Sequence, residues 1–212
     1  VTVDLEVDVP ALVMAWGLGW TTSRGGGPPV PVPGGWYAEV NLPGHSERHI
    51  LHTWDADRLA AIEPRPGGWI KVVGTRDDLR AALPDQWVID EDGHLMTTVL
   101  RPAEVETPDG YRIEITTDGP VVKAAAHHTS GDVAATAYLA PGGGFGIVDR
   151  VETSPDHRRR GLGTAVMTAL QSHGAEAGLS RGLLLATDAG RALYETLGWT
   201  HRALVVTARV PD

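Results

Sequence analysis

The stretch Asp156-His157-Arg158-Arg159-Arg160-Gly161-Leu162-Gly163-Thr164 constrains this chain more than any other. Gly161 and Gly163 let the backbone reach positive φ and come close to a ligand. Behind them Leu162, Val166 and Leu170 recur four apart with Ala165 and Ala169 beside them, which predicts a packed helix over roughly residues 160–173. The first amides of a helix have no intrahelical acceptor, so the turn offers free N–H groups to an anion. Ahead of the turn, Phe145–Thr153 has the β-branched content of a strand, and Ser154-Pro155 turns the chain out of it. Three consecutive arginines alone would suit a solvated face or a general polyanion patch. Joined to the two glycines and the helix, they make a strand, basic turn and helix built to hold a diphosphate.

Arg158 stands three residues before Gly161, and Gly161 two before Gly163. This spacing resembles the Q/R-x-x-G-x-G/A signature of the GNAT acetyltransferase superfamily, whose loop wraps the coenzyme A pyrophosphate. A second stretch adds to the resemblance. Gly182–Thr187 is an apolar strand candidate, Asp188 is an N-cap candidate, and Leu193 and Leu197 lie on one helix face. Gly198 then sits where a helix stops, with Trp199 placed to pack back on the last turn. The run Arg191-Ala-Leu-Tyr194-Glu-Thr-Leu-Gly-Trp199 looks like the superfamily's A-x-x-L-Y-E-x-L-G-F ending.

The resemblance implies an α+β fold with a mixed sheet in the C-terminal half, and an enzyme moving acetyl from acetyl-CoA to a primary amine by direct transfer in a ternary complex. It places Val151, Glu152 and Thr153 along the pantetheine arm. It places the pyrophosphate on the amides and side chains of Arg158, Arg159, Arg160, Gly161, Leu162, Gly163 and Thr164. Thr187 stands where the family often has asparagine, so one hydrogen bond to the arm is either weakened or made by the threonine hydroxyl. Tyr194 matches the family tyrosine whose hydroxyl reaches the coenzyme sulfur. A phenol of reference pKa about 10 protonates a thiolate of reference pKa about 8.5 only where the sulfur is desolvated and close. For the base Glu152 is preferred. Asp149 is a neighbour that strict alternation would put on the opposite face, and His127, His128 or a relaying water are alternatives. A protein that binds acetyl-CoA without turnover, as a sensor or interaction module, is the rival reading. Tyr194 favours the enzyme.

The first hundred residues carry no such motif. Six of the seven tryptophans (16, 20, 36, 54, 69 and 87) lie there, and the character of the chain changes near residue 104. Two parts are expected: an α+β N-terminal lobe over 1–104, read as a degenerate GNAT-like partner, and the GNAT domain over 105–212. In the first, Pro10 opens a helix to about Trp20. Trp36–Leu42 and Arg48–Trp54 pair across Pro43-Gly44, and Asp55–Ile62 and Thr75 to about Pro84 are short helices around a strand at Trp69–Val73. Asp92-Gly93 predicts a hairpin joining Gln86–Asp90 to Leu95–Leu100. In the second, Tyr111–Thr116, Val121–His128 and Val133–Ala140 are strands. Only a turn fits between Thr116 and Val121, where the family places two helices, so either Tyr111–Thr116 is not the family's first strand or, as preferred, the N-terminal half supplies the missing wall.

Composition narrows the classes. At 212 residues and 42% hydrophobic the chain buries a real core, and with no cysteine it has neither disulfide nor thiolate chemistry. A net charge of −9 disfavours nucleic acid and mildly favours a cationic or amine-bearing substrate. Val1–Pro10 is acidic and Ala11–Trp20 is too short to span a bilayer, so a cytoplasmic protein without membrane attachment is expected. A small-molecule amine is the expected acceptor, with amino acid, polyamine, antibiotic and protein α-amine all open, and a homodimer is left open. No metal is expected: His45, His49 and His52 do not share one strand face. Val166 occupies the third glycine position of a dinucleotide fingerprint, and a P-loop lysine is missing.

Overall fold

The structure is a computed structural model that describes residues 8–212. Helix α1 (Val9–Ser23) opens it, with Pro10 in the first turn. Strands β1 (Val30–Val32), β2 (Gly35–Leu42) and β3 (His45–Leu51) follow. Helix α2 (Ala56–Ala61), capped by the Asp55 carboxylate, leads to β4 (Gly68–Val73). Helix α3 (Arg76–Ala82), capped by Thr75, leads to β5 (Val88–Ile89) and β6 (Gly93–Val99). The second half runs β7 (Tyr111–Asp118), β8 (Val121–His128), β9 (Val133–Gly142), β10 (Phe145–Thr153), α4 (Leu162–Glu176), β11 (Arg181–Ala186), α5 (Asp188–Thr196) and β12 (Thr200–Arg209).

All twelve strands join one mixed sheet in the order β1-β2-β3-β4-β12-β6-β11-β10-β9-β8-β7, with β5 beside β12. The element order repeats. An antiparallel β2-β3 pair crosses over through α2 to a parallel β4, then α3 leads to β6. The antiparallel β9-β10 pair likewise crosses over through α4 to a parallel β11, then α5 leads to β12. The two closing strands are exchanged: β12 pairs with β4 of the first half, and β6 with β11 of the second. The β6-β12 ladder joins the halves, so the sheet is continuous across residue 104.

The hairpin expected at Asp92-Gly93 does not form. Strand β5 pairs with β12, where the Asp90 amide donates to the Thr207 carbonyl, and β6 pairs with β11 and β12. Gly93 serves close packing rather than a turn: a Cβ there would lie 2.7 Å from Leu185 Cγ. Asp92 is held instead by Arg76 at 3.1 Å.

Three apolar clusters hold the sheet. On one face α4 and α5 cover Ala124, Ala137, Leu139, Val148 and Leu184 with Leu162, Val166, Leu170 and Tyr194. On the other, α1 brings Leu12, Val13, Trp16 and Trp20 onto Trp36, Ile50, Leu95, Ile147 and Leu183. Helix α1 thus covers the face of β9 and β10 opposite α4, where the β7-β8 turn leaves no room for helices. Its glycines permit the contact, since a Cβ on Gly17 or Gly19 would lie 2.1 Å from Trp36 or Ile147. The third cluster packs Leu59 of α2 and Leu79 of α3 on Leu51, Ile70, Val72 and Val206.

Candidate active site

Strands β10 and β11 pair only over Gly146–Gly182, Ile147–Leu183 and Val148–Leu184. Beyond Val148 they part, which leaves the backbone of residues 149–153 facing a gap at the C-terminal ends of two parallel strands, where ligands of such sheets bind. The chain then makes a short 3₁₀ turn (Pro155–His157), and Gly161 at φ 77° caps α4. Arg159 also takes a positive φ, 62°. Among the described residues, none of the amides of 159–164 has an acceptor. Six consecutive free donors, three at the positive end of a fifteen-residue helix, are a ready anion cradle.

The arginines frame this cradle differently. Arg158 is exposed and donates from Nε to the Thr153 carbonyl at 3.3 Å. Arg159 is exposed. Arg160 is tied down, donating to the Tyr111 hydroxyl at 3.0 Å and to the Asp156 carbonyl at 3.1 Å. Tyr111 Oη lies 2.8 Å from Nδ1 of the buried His157. The Tyr111 hydroxyl thus accepts from Arg160 and shares a second hydrogen bond with His157, whose direction follows the imidazole tautomer. Leu162 is 1% exposed, so it anchors the helix and offers only its amide to the turn. Gly163 faces Leu193 and Thr164 is exposed.

Along β10, Val151 packs on the core while Glu152 is exposed and makes no ion pair among the described residues. The strand carries a bulge. Asp149 pairs with Tyr138 and Glu152 with Thr136, so three steps on β10 match two on β9, with Arg150 at φ 50° taking up the extra residue. Tyr138 and Thr136 share a face, and so do Asp149 and Glu152, contrary to strict alternation. The Asp149 carboxylate accepts from Ser23 at 2.9 Å and pairs with Arg24 at 3.1 Å, both at the end of α1. Arg150 donates to the Ser23 carbonyl and lies over the Tyr138 ring, 3.7 Å from its centroid.

Tyr194 projects from α5 and is 8% exposed. Burial, and then the negative charge of Asp149, push its phenol up to about 12. Its ring packs 6.1 Å from that of Trp199, which folds back on the helix after Gly198 as the sequence predicts. The N-cap of α5 is Thr187, not Asp188: the Thr187 hydroxyl accepts from the Gly190 amide at 3.1 Å. Asp188 begins the first turn and reaches Nε2 of the buried His94 at 2.6 Å. His127 and His128 lie away from Asp149, His127 against Glu114 and His128 beside Tyr111 and His157. Ser23, Arg24, Arg150 and Tyr111 have no signal in the sequence that would have placed them here, because each arrives through long-range pairing.

A splayed parallel strand pair, an amide cradle opening the crossover helix and a desolvated tyrosine on the next helix thus stand together at one end of the sheet. The sequence profile of the Acetyltransferase (GNAT) family matches residues 78–199, so the chain belongs to that family and is a GNAT N-acetyltransferase. No curated protein matches it in sequence. Among solved structures it is similar to a GCN5-related N-acetyltransferase from Kribbella flavida, at 17% identity and TM-score 0.64 over 98% of this chain and 97% of that one. It is also similar to a GCN5-related N-acetyltransferase from Sphaerobacter thermophilus, at 15% identity and TM-score 0.57 over 95% and 91% of the two chains. At these identities the likeness shows the fold. Among the described residues no helix is long and apolar enough to cross a membrane.

Proposed function

We propose that the protein acetylates a primary amine of a small molecule by direct transfer from acetyl-CoA in a ternary complex. The observation that carries this reading is the run of unaccepted amides at 159–164 next to the β10-β11 gap. The cradle fits a diphosphate: it supplies N–H donors, the helix dipole and exposed arginines, and contains no carboxylate among residues 158–164. The pantetheine arm then runs along Val151, Glu152 and Thr153, with the Thr187 hydroxyl proton free to donate to it. In the reaction the amine nitrogen attacks the thioester carbon, a C–N bond forms and the C–S bond breaks. Glu152, free of any ion pair among the described residues, takes the proton from the amine directly or through a water. Tyr194 returns one to the departing thiolate. Its raised pKa keeps it protonated, as an acid must be.

Residues 1–104 act as a degenerate lobe in this reading. The crossover from β3 to β4 has only the six-residue α2 and no glycine-rich turn, so it lacks a second coenzyme cradle. What the lobe contributes is cover: α1 seats Asp149, and β6 braces β11 and, through His94, the start of α5.

Thiol release from acetyl-CoA with a panel of primary amines tests the proposal. Release that depends on the amine supports it. Tight coenzyme binding with no release from any amine supports a sensor instead.

A further inference from the structure

One row of side chains crosses four strands on the α1 face of the sheet. Thr116, Lys123, Tyr138 and Asp149 are successive register partners, so they point the same way. The row runs from edge strand β7 to Asp149, the first residue past the β10-β11 ladder. The bulge turns Arg150 onto this row, where its guanidinium covers Tyr138. The Lys123 ammonium approaches the same ring at 5.7 Å from its centroid. The end of α1, at Ser23 and Arg24, closes the top. Ser23, Arg24, Thr116, Lys123, Tyr138 and Arg150 line a cleft of 590 Å³, with Asp149 beside it, bonded to Ser23 and Arg24.

The charge of this cleft opposes that of the whole chain. Its wall holds Arg24, Lys123 and Arg150 from three elements against a single carboxylate, Asp118. Beside the wall, Asp149 pairs with Arg24 at 3.1 Å and lies 4.0 Å from Arg150, which leaves Lys123 without a partner among the described residues. Behind Arg24 stands Arg48, 8% exposed, with Nε enclosed and without an acceptor, and no carboxylate within bonding distance among the described residues. Its guanidinium lies 4.2 Å from the centroid of Trp20, whose ring also carries Arg24 at 4.9 Å. An enclosed guanidinium with no carboxylate bonded to it, Asp149 acting only at a distance, is costly to desolvate, and its field reaches outward through a low-dielectric wall. In a protein of net charge −9, this wall keeps Lys123 free of any ion pair among the described residues, with the enclosed Arg48 behind Arg24.

We infer that this cleft is the acceptor site and that it selects an amine which also carries an anionic group, a carboxylate or a phosphate. Lys123 and Arg150 hold the anion over Tyr138, and the amine end lies toward the face shared by Asp149 and Glu152. The inference rests on the proposed acyl transfer and names the substrate class for it. A cationic polyamine is disfavoured by the same charges, although the net charge of the chain alone would favour one.

The test compares matched amines with and without the anion. Glycine, L-alanine and L-glutamate are set against glycinamide, L-alaninamide and L-glutamine amide, and phosphoethanolamine against ethanolamine, reading thiol release from acetyl-CoA. At least one anionic member is expected to exceed its partner tenfold or more in kcat/KM. Lys123→Ala is expected to reduce that ratio at least fivefold through KM, and Arg48→Met to reduce it with Trp20 still packed. The carboxylate and phosphate pairs tell the two anions apart. Calorimetry of the same amines on coenzyme A-loaded protein decides independently of turnover: anionic members bind wild type and bind Lys123→Ala more weakly. If neutral amines or diamines react as well as the anionic ones, the inference falls while the transferase reading stands. If nothing is acetylated but the anions bind, the transferase reading falls and the cleft remains an anion site. If neither happens in folded, coenzyme-loaded protein, the inference is overturned.

Discussion

Asp149 and Glu152 share one face of β10 although three residues separate them, because the strand gains a residue at Arg150. Their surroundings then divide the roles. Asp149 is bonded to Ser23 and Arg24, whereas Glu152 is exposed and unpaired. Glu152→Gln is expected to lower kcat by about 10²–10⁴ with acetyl-CoA affinity unchanged, the range of lost general-base catalysis. Asp149→Asn should instead cost about 1–3 kcal/mol of stability by weakening its charged bonds. Steady-state kinetics and urea unfolding of the two variants check this. The reverse pattern would exchange their roles.

Tyr194→Phe is expected to lower kcat roughly tenfold to a thousandfold with little change in acetyl-CoA affinity. With its pKa pushed up to about 12, the phenol stays protonated through pH 10, so it gives kcat no alkaline limb below that. The same shift links to stability. The folded state holds this proton more tightly than the unfolded chain, so the contribution is complete below pH about 10 and is lost as pH rises toward about 12. Alkaline unfolding of the phenylalanine variant should show a smaller loss over that window.

Tyr111 holds Arg160 against the cradle and bonds His157. Tyr111→Phe removes one hydrogen bond to a charged group, so acetyl-CoA Kd is expected to rise about threefold to tenfold, at roughly 1 kcal/mol. At saturating coenzyme kcat should not change, which titration and kinetics on one preparation will show.

His45 lies between the rings of Trp20 and Trp69, at 5.8 and 5.3 Å, with a buried Nε2 that has no partner. Burial first, and then Arg48, Arg24 and Lys71, push its pKa down to about 3. The unfolded chain binds this proton first, so the stability is present above pH about 6.5 and is lost as pH falls toward about 3. His45→Phe keeps an aromatic ring and should flatten the fall of Tm between pH 6.5 and 4. An unchanged slope would assign the acid sensitivity to other groups.

Local signals carried much of this site. The four-residue spacing from Leu162 to Leu170 and the glycines at 161 and 163 located α4 and its cradle, and Gly198 with Trp199 located the end of α5. What was not legible depends on partners far along the chain. The Asp92-Gly93 pair reads as a hairpin, but the strands exchanged between the halves take both flanking segments, and Gly93 makes room for Leu185. The bulge at Arg150 is equally silent in sequence, and it moves Glu152 onto the face of Asp149. Thr187 and Asp188 are both good caps, and the choice between them fell to the His94 ring that draws Asp188 away.

The central claim is that the turn before α4 holds the coenzyme diphosphate, and Gly161 tests it most directly. At φ 77° a valine there is strained by about 1–2 kcal/mol and the cradle must open. Calorimetric titration of acetyl-CoA into the wild-type protein and into Gly161→Val, each confirmed as folded by circular dichroism, should show saturable one-to-one binding in the first. In the second, affinity should be weakened by at least tenfold. Absence of binding by the folded wild-type protein, or equal affinity in the two, would contradict the account.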